Sequence, residues 1–321
     1  GTSSSESSAA DTWRSIKPLR ACSTNDSCGS SRLPRAPFLS SGRPRIVANV
    51  AASRFSAART AGFVIGGVVA ANASGPRRLL AGACRDHLLG LRFVDGQGRV
   101  IKNGGRVMKN VTGLDLGKLL AGAHGTLGVV TEVALKTLPL LPERLTLAIR
   151  NLTAPEAVAL FSATLATPYE VSGAAFRNDT AWLRIEALDP RQLSYRRDRL
   201  LTLMPGRIVE QLDGAASARL WQDLRDVTHF AGGEAPLWRV LVKPTDAPRV
   251  SAALEAMGGA CSLDWGGGLI WYSGPGEVAA IRVIAPHATL IRRGGLTGPA
   301  FPPAPAPVAA LSQASSMSSS A

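Results

Sequence analysis

Cysteines are few in this sequence. Four occur among 321 residues, at Cys22, Cys28, Cys84 and Cys261, and no two of them form a Cys-x-x-Cys pair. Such sparse cysteines argue against a disulfide framework and against a cysteine metal centre, so we expect no metal site and a reducing compartment. Aromatic residues are also scarce, at 5%, whereas apolar residues reach 45%. Alanine, leucine and valine must therefore do most of the core packing.

Long apolar runs are missing as well. No segment is apolar over the length needed to cross a bilayer, which argues against a direct membrane span. The first residues are rich in serine and lack the apolar centre of a secretory signal. Both observations favour a protein that does not itself enter the membrane.

Acidic residues are outnumbered, and the formal net charge is +13. The excess is spread along the chain, since residues 1–60 hold nine Lys or Arg against three Asp or Glu. No stretch interleaves basic with aromatic residues, as proteins that bind single strands do. We therefore expect no nucleic-acid partner; a steep salt dependence of DNA binding would support that alternative.

Changes in composition divide the chain into four parts. Residues 1–60 are rich in Ser, Arg, Ala and Pro without regular periodicity, so we expect no packed core there. Glycine-rich sequence begins at Ala61, and we assign residues 61–142 to one subdomain and residues 143–293 to a second domain. The tail, residues 294–321, has no charged residue and is predicted to be disordered.

Local patterns predict a mixture of strands and helices. In the first subdomain, strands are expected at 88–94, 99–102 and 129–137, with a hairpin turn at 95–98 and a short helix over 115–121 capped by Asp115. In the second domain, strands are expected at 145–151, 171–177, 182–187, 207–212, 237–242, 269–272 and 288–291, and helices at 155–166, 190–203, 215–227 and 247–257. This pattern is typical of an α+β fold with an antiparallel sheet and helices on one side.

Three glycine-containing segments indicate a ligand-binding site. They lie at residues 65–78, 108–116 and 119–132. A pyrophosphate needs backbone N–H donors at close approach, and glycine permits both the approach and unusual dihedral angles. Gly66-Gly67 and the turn from Gly125 to Gly128 are the candidates for such a concavity. Tight turns alone would explain any one glycine pair, but three segments within about seventy residues favour a nucleotide site. No Gly-x-Gly-x-x-Gly follows the first strand, so a Rossmann site is excluded.

The segments Gly66-Gly67, 72–77, 85–87, 109–113 and 125–132 together resemble the FAD-binding domain of the vanillyl-alcohol-oxidase (PCMH) type. Within that family, they are most similar to the FAD-binding subunits of glycolate oxidase (glycolate dehydrogenase) complexes. Residues 221–226, 264–268 and 287–290 resemble the later region of those subunits. The resemblance implies an FAD-binding domain followed by an α+β cap domain, with FAD as cofactor.

The resemblance also implies partners and ligands. The partners are a second flavoprotein subunit and an iron–sulfur subunit, in a cytoplasmic complex associated with the inner membrane. We predict the cofactor-binding residues from the matched segments. They are Ile65, Gly66, Gly67, Asn72, Ser74, Gly75, Arg77, Asn110, Gly113, Gly122, Gly125, Thr126, Leu127, Gly128 and Val130.

Two departures from the family pattern bear on function. Residues 1–60 show no counterpart of the family's earlier FAD subdomain, and Val64 stands where the family usually has Thr. The FAD-binding domain is thus expected to be incomplete, and FAD binding by the isolated chain is expected to be weak. The alternative function is a flavin-free assembly subunit of the same complex.

No residue is assigned as catalytic. The four histidines are the candidates for a base that accepts the hydroxyl proton of a 2-hydroxy acid. We expect His87 and His124 to bond to backbone and His229 to be structural, which leaves His287 as the best candidate for the flavin face. The flavin is expected to accept or relay electrons rather than to perform the main oxidation.

Overall fold

The computed structural model describes residues 65–107 and 113–304. The expectation for residues 1–60 and the predicted ligand Asn110 therefore lie outside the described residues.

The first subdomain contains a three-stranded antiparallel sheet with short helices. Its elements are α1 (Ile65–Ala70), α2 (Arg78–Ala81), α3 (Cys84–His87), β1 (Leu88–Val94), β2 (Val100–Gly104), α4 (Leu116–Leu120) and β3 (Val129–Leu135). The strands lie in the order β2-β1-β3. Val68 and Val69 of α1 pack with Leu91 and Phe93 of β1, and this small core holds the glycine segments on the sheet.

Two predicted local structures of this subdomain are confirmed. At the hairpin turn, the Asp95 carboxylate accepts hydrogen bonds from the backbone N–H groups of Gln97 and Arg99, both at 2.9 Å. At the start of α4, the Asp115 carboxylate accepts from the N–H of Lys118 at 3.1 Å, as expected of an N-terminal cap.

The prediction for the first glycine pair was wrong in one respect. Gly66 and Gly67 lie inside α1, and neither has a positive φ angle. The pair therefore does not form a strained phosphate-binding turn. Gly66 instead allows close packing, because a Cβ atom there would lie 3.0 Å from the carbonyl oxygen of Val130.

The residues predicted to form the second domain contain an eight-stranded antiparallel sheet. Its strands are β4 (Glu143–Ile149), β5 (Val171–Arg177), β6 (Thr180–Ala187), β7 (Val209–Asp213), β8 (Leu237–Leu241), β9 (Ala260–Asp264), β10 (Leu269–Ser273) and β11 (Thr289–Arg292). The helices among these residues are α5 (Ala154–Leu165), α6 (Pro190–Leu201), α7 (Gly214–Asp226), α8 (Ala247–Glu255) and α9 (Val278–Ile284). Among the described residues, helical and strand content together confirm the α+β class.

The strand order reveals an internal structural repeat. The sheet runs β11-β8-β10-β9-β5-β6-β4-β7. Each half is a β-α-β-β-α-β unit, first β4-α5-β5-β6-α6-β7 and then β8-α8-β9-β10-α9-β11, with the same internal order. The halves join where β5 pairs with β9, at Phe176 and Leu263.

Helices α5, α6, α8 and α9 lie on one face of this sheet and cover the main core. The strands contribute the alternate residues Leu145, Leu147 and Ile149 of β4, and Leu183 and Ile185 of β6, to that core. Helix α7 departs from the prediction of helices on one side, because Trp221 packs on the opposite face. The Trp221 indole N–H donates to the Thr146 hydroxyl at 2.8 Å, and Thr146 alternates with the core leucines.

Among residues 143–304, two short elements escaped the sequence analysis. Strand β9 is preceded by Gly258-Gly259, which masks its pattern, and α9 has just seven residues. The prediction of disorder was wrong for the first part of the tail, because residues 294–304 pack against the large sheet. Leu296 and Ala300 contact the main core, and the carbonyl of Ala300 accepts from the N–H of Leu290 at 2.8 Å.

Candidate functional site

The first glycine segment lies on the open face of the large sheet, opposite the four covering helices. The indole N–H of Trp265 donates to the carbonyl of Gly75 at 3.1 Å, and both residues are buried. The guanidinium of Arg77 lies 3.2 Å from the carboxylate of Glu186 on β6. The guanidinium of Arg78 stacks on the Trp265 ring, 4.5 Å from its centre. These contacts attach residues 75–78 to the sheet.

The sheet meets this segment with buried charges. The side chain of Glu186 is 5% exposed, and Arg184 is its other cationic neighbour at 3.7 Å. Arg184 donates to the hydroxyl and the carbonyl of Ser172 at 2.9 and 3.0 Å, and burial lowers the pKa of its guanidinium to about 10. Arg77 therefore completes a group of two cations and one anion at this contact.

A cavity of about 190 Å³ lies where the glycine segment meets β8, β10 and β11. The glycine segments contribute five small residues and one histidine to its wall, and the sheet and α7 contribute the rest. The lining residues are Ala71, Ala73, Ser74, Gly75, Pro76, His124, Arg225, Arg239, Asp264, Leu269, Trp271, Thr289 and Ile291. This cavity is the candidate functional site.

The charged side chains at the cavity differ in whether another residue neutralises them. Arg225 is neutralised by Asp226 through two bonds of 2.8 and 2.9 Å. Arg239 forms no ion pair with a described residue and instead lies over the Trp265 ring at 5.3 Å. Burial, and then Arg78, lower the pKa of Arg239 to about 10. Burial raises the pKa of the Asp264 carboxyl to about 7, so near neutrality it carries less than a full negative charge.

Two predicted ligands use their side chains inside the segment. The Asn72 side-chain oxygen accepts from the N–H of Arg85 at 3.1 Å, and the Ser74 hydroxyl accepts from the N–H of Cys84 at 3.0 Å. Both bonds hold the segment against α3. Arg77 is likewise engaged with Glu186, which directs it toward the sheet rather than toward a phosphate.

The third glycine segment lies beside the first. The carbonyl of Ala70 at the end of α1 accepts from the N–H groups of Gly122 and His124, at 2.9 and 2.8 Å. Thr126 bonds internally, because its hydroxyl donates to the carbonyl of Ala123 at 2.7 Å. Gly125 has a φ angle of +80°, which favours glycine, and a Cβ atom there would meet nothing within 4 Å.

The other predicted residues are more scattered. Ile65 and Leu127 are exposed, Val130 packs under Gly66, and Gly128 fits close to the carbonyl of Val94. Gly113 lines a separate cavity of about 180 Å³, together with Leu114, Asp115 and Lys118. The structure thus brings the first and third segments together and leaves Gly113 at another opening.

The chemistry of the free groups fits a flavin nucleotide. The backbone N–H groups of Ser74, Gly75, Gly125 and Leu127 have no acceptor among the described residues. Open space lies beside Gly67 and Gly125, where a side chain would otherwise stand. Unpaired N–H donors next to glycine are what phosphate and carbonyl oxygens of a dinucleotide require.

The histidines differ from one another in ways the sequence did not show. His87 bonds to backbone as predicted, with Nε2 2.8 Å from the carbonyl of Ala81 and Nδ1 3.2 Å from that of Lys136. His287 is exposed and is absent from the cavity wall, so the hypothesis that it lies at the flavin face is not supported. His124 lines the cavity instead, and burial and Arg239 lower its pKa.

Sequence reasoning missed the sheet side of the site. Trp265, Arg239 and Asp264 were not proposed as functional, although 264–268 was one of the matched segments. The available signal was the Asp-Trp-Gly-Gly-Gly run, in which Trp265 and Gly266 have φ angles of +56° and +66°. A non-glycine residue in this region is uncommon and often marks a functional site.

Residues 65–107 and 113–304 contain no group of three or more His, Cys, Asp or Glu side chains arranged to hold a metal ion. Within the same ranges, no helix has the length and apolarity to cross a bilayer.

Comparison with known proteins shows what the chain is similar to. A family model described as an FAD binding domain matches residues 49–104. A solved structure of alkyldihydroxyacetonephosphate synthase is 12% identical, with a TM-score of 0.48 over 68% of this chain and 53% of that one. The chain is therefore similar to FAD-binding proteins over this matched segment, and the match supports FAD as its cofactor.

Curated relatives are similar to the chain over different lengths. Glycolate oxidase subunit GlcE of Escherichia coli (strain K12) is 34% identical over 224 residues, which is 70% of this chain and 59% of that protein. Glycolate oxidase subunit GlcD of Bacillus subtilis (strain 168) is 44% identical over 75 residues, or 23% of this chain and 16% of that protein. The chain thus spans less than two thirds of the length of either relative.

The buried Asp264 generates a prediction about pH. Because its folded pKa of about 7 lies above the ordinary 3.8, the folded state holds a proton that the unfolded state has lost. Its contribution to stability is therefore full below pH ~4 and is lost as the pH rises to about 7. Asp264→Asn keeps an oxygen that accepts from the Trp265 N–H but cannot ionise. As the pH rises from about 4 to about 7, the unfolding free energy of the variant should therefore increase relative to that of wild type.

Urea unfolding at several pH values measures that difference. Asp246→Asn, at a half-buried carboxylate at the start of α8, serves as the control. A difference between Asp264→Asn and wild type that stays constant from pH 4 to pH 8 would contradict the buried-carboxyl account.

Proposed function

We propose that this chain is the FAD-binding redox subunit of a glycolate oxidase (glycolate dehydrogenase) complex, which oxidises glycolate to glyoxylate together with partner subunits. The observation that carries the proposal is the convergence of two glycine segments and the open face of the sheet on one cavity. The similarity to a glycolate oxidase subunit over 70% of the chain supports the choice of reaction.

The residues proposed to hold FAD are those with free backbone donors. Ser74 and Gly75 present N–H groups at the cavity, and Gly125 and Leu127 present them on the adjoining turn. When bound, FAD would supply electron transfer, by accepting or relaying the electrons released as glycolate becomes glyoxylate. The other predicted ligands would act by shaping the backbone, because the side chains of Asn72, Ser74 and Thr126 are used internally.

The protein's own groups favour a redox role over an independent oxidase role. A base must accept the hydroxyl proton during oxidation. Among the described histidines, His124 is the one at the cavity, and burial, with a smaller effect of the neighbouring Arg239, lowers its pKa. We therefore assign the main proton abstraction to a partner flavoprotein subunit and onward electron transfer to an iron–sulfur subunit, in a cytoplasmic complex held at the inner membrane by its partners.

Purification of the tagged full chain from its native host tests the proposal. We expect co-purification of a second flavoprotein and an iron–sulfur protein, and bleaching of the visible flavin absorption on addition of glycolate. Glycolamide, which lacks the carboxylate, serves as the control substrate. A chain that purifies with these partners but with no flavin of its own would favour the assembly role, and a complex that glycolate does not reduce would contradict the proposed reaction.

Gly67→Ala tests whether FAD occupies the open space beside α1. Gly67 has ordinary helical geometry and open space at its Cβ position, so the substitution should stabilise the flavin-free fold by roughly 0.5–1 kcal/mol. If the open space belongs to FAD, the same methyl group should lower FAD affinity at least tenfold. Flavin fluorescence titration measures the affinity, and urea unfolding measures the stability.

Gly96→Ala is the matched control. Gly96 also has an ordinary φ angle and nothing within 4 Å, but it lies at the tip of the β1–β2 hairpin. Equal FAD affinity for Gly67→Ala, Gly96→Ala and wild type would leave Gly67 as a helix residue without a role at the cofactor.

A further inference from the structure

The cavity contains a cation whose charge no described residue neutralises. Arg239 projects from β8 on the open face of the sheet, is half-buried, and forms no ion pair. Its described partner is the Trp265 ring, which Arg78 also faces at 4.5 Å. One aromatic ring thus lies near two guanidinium groups. A buried charge is costly unless it is paired, so this arrangement calls for an anion.

The neighbouring charges do not supply that anion. Asp226 is engaged by Arg225 in two hydrogen bonds. Asp264 lines the same cavity, but its carboxyl accepts from the Trp265 N–H at 2.7 Å, and the cation that acts on its charge is Arg184. Glu186 lies between Arg77 and Arg184. His124 adds no negative charge, so the cavity remains net positive around Arg239.

We propose that this cavity is an anion site of the chain's own, in which Arg239 receives the carboxylate of a small 2-hydroxy acid. The proposal rests on the proposed function for its choice of acid, and it goes further by placing an acid-binding pocket on this subunit. A guanidinium presents parallel N–H donors that match the two oxygens of a carboxylate, which a neutral ligand does not offer.

The rest of the wall defines which acids fit. Leu269, Trp271 and Ile291 form apolar walls, and the cavity measures about 190 Å³. Thr289 lines the same cavity, and its hydroxyl suits the hydroxyl group of the ligand. Acids with short chains should therefore bind, and long or branched 2-hydroxy acids should be excluded.

Titration of the full chain with glycolate and with glycolamide tests the proposal without any flavin. Tryptophan emission is a suitable signal, because Trp265 and Trp271 lie beside Arg239. We expect saturable binding of glycolate and at least tenfold weaker binding of glycolamide. Equal responses to the two compounds, or no saturable response to glycolate, would overturn the site.

Substitutions at Arg239 locate the binding. Arg239→Met should weaken glycolate binding at least tenfold while the thermal unfolding temperature stays the same or rises, because an unpaired charge is removed. Arg239→Lys keeps the charge without the two parallel donors. Its affinity for glycolate should lie between that of Arg239→Met and that of wild type. Arg249→Met, at an exposed arginine on α8, should bind as wild type does. Glycolate binding by Arg239→Met at wild-type strength would refute the assignment.

The results also separate this inference from the proposed function. A complex that glycolate reduces, combined with a chain that binds no glycolate, would leave the redox subunit in place and remove the anion site. A chain that binds glycolate through Arg239 but carries no FAD in its complex would support the anion site and contradict the role as FAD-binding redox subunit.

Discussion

The packing of residues 75–78 onto the open face of the large sheet is the contact on which the site depends. One hydrogen bond, from the Trp265 indole to the Gly75 carbonyl, and one ion pair, between Arg77 and Glu186, hold this segment. The first contact is buried and the second nearly so, and each joins residues more than 100 positions apart in the sequence. Without them the cavity wall would lose its glycine side, and the free N–H groups of Ser74 and Gly75 would have no fixed direction.

Charge buried at this contact explains several features that look unrelated. Arg77 and Arg184 share the carboxylate of Glu186, so substituting Glu186 would leave two cations without their ion-pair partner. Arg239 is the exception among the described cavity residues, because its positive charge is held by aromatic contact alone. A fold that tolerates such a residue next to an opening has placed charge where a ligand, rather than the protein, can neutralise it.

Much of the fold followed from the sequence, and the reasons are local. The β1–β2 hairpin was predictable because Asp95 and the glycines after it encode the turn, and α4 because Asp115 caps it. Helix α1 was not, since glycine pairs are read as turns, and its helical geometry comes from packing against β3. The internal repeat of the large sheet depends on strand order, which periodicity does not encode.

The glycine side of the site was predictable from the sequence, and the sheet side was not. Its glycine side lies in contiguous segments, so composition and motif indicated it. Its sheet side is assembled from single residues on β8, β9, β10 and β11, and no short sequence pattern links Arg239 to Asp264. Local bonding decided which predicted side chains remain available: Asn72 and Ser74 hold the segment together, and their neighbours' backbone groups stay free.

Hydrogen exchange of the backbone amides tests the central claim most directly. FAD-loaded and FAD-depleted preparations of the complex would be compared over peptides spanning residues 71–78 and 122–128. If Ser74, Gly75, Gly125 and Leu127 donate to the cofactor, exchange in both peptides should slow on loading, while the peptide at the β1–β2 hairpin tip stays unchanged. Unchanged exchange in both glycine peptides, or slowing confined to other parts of the chain, would contradict the account.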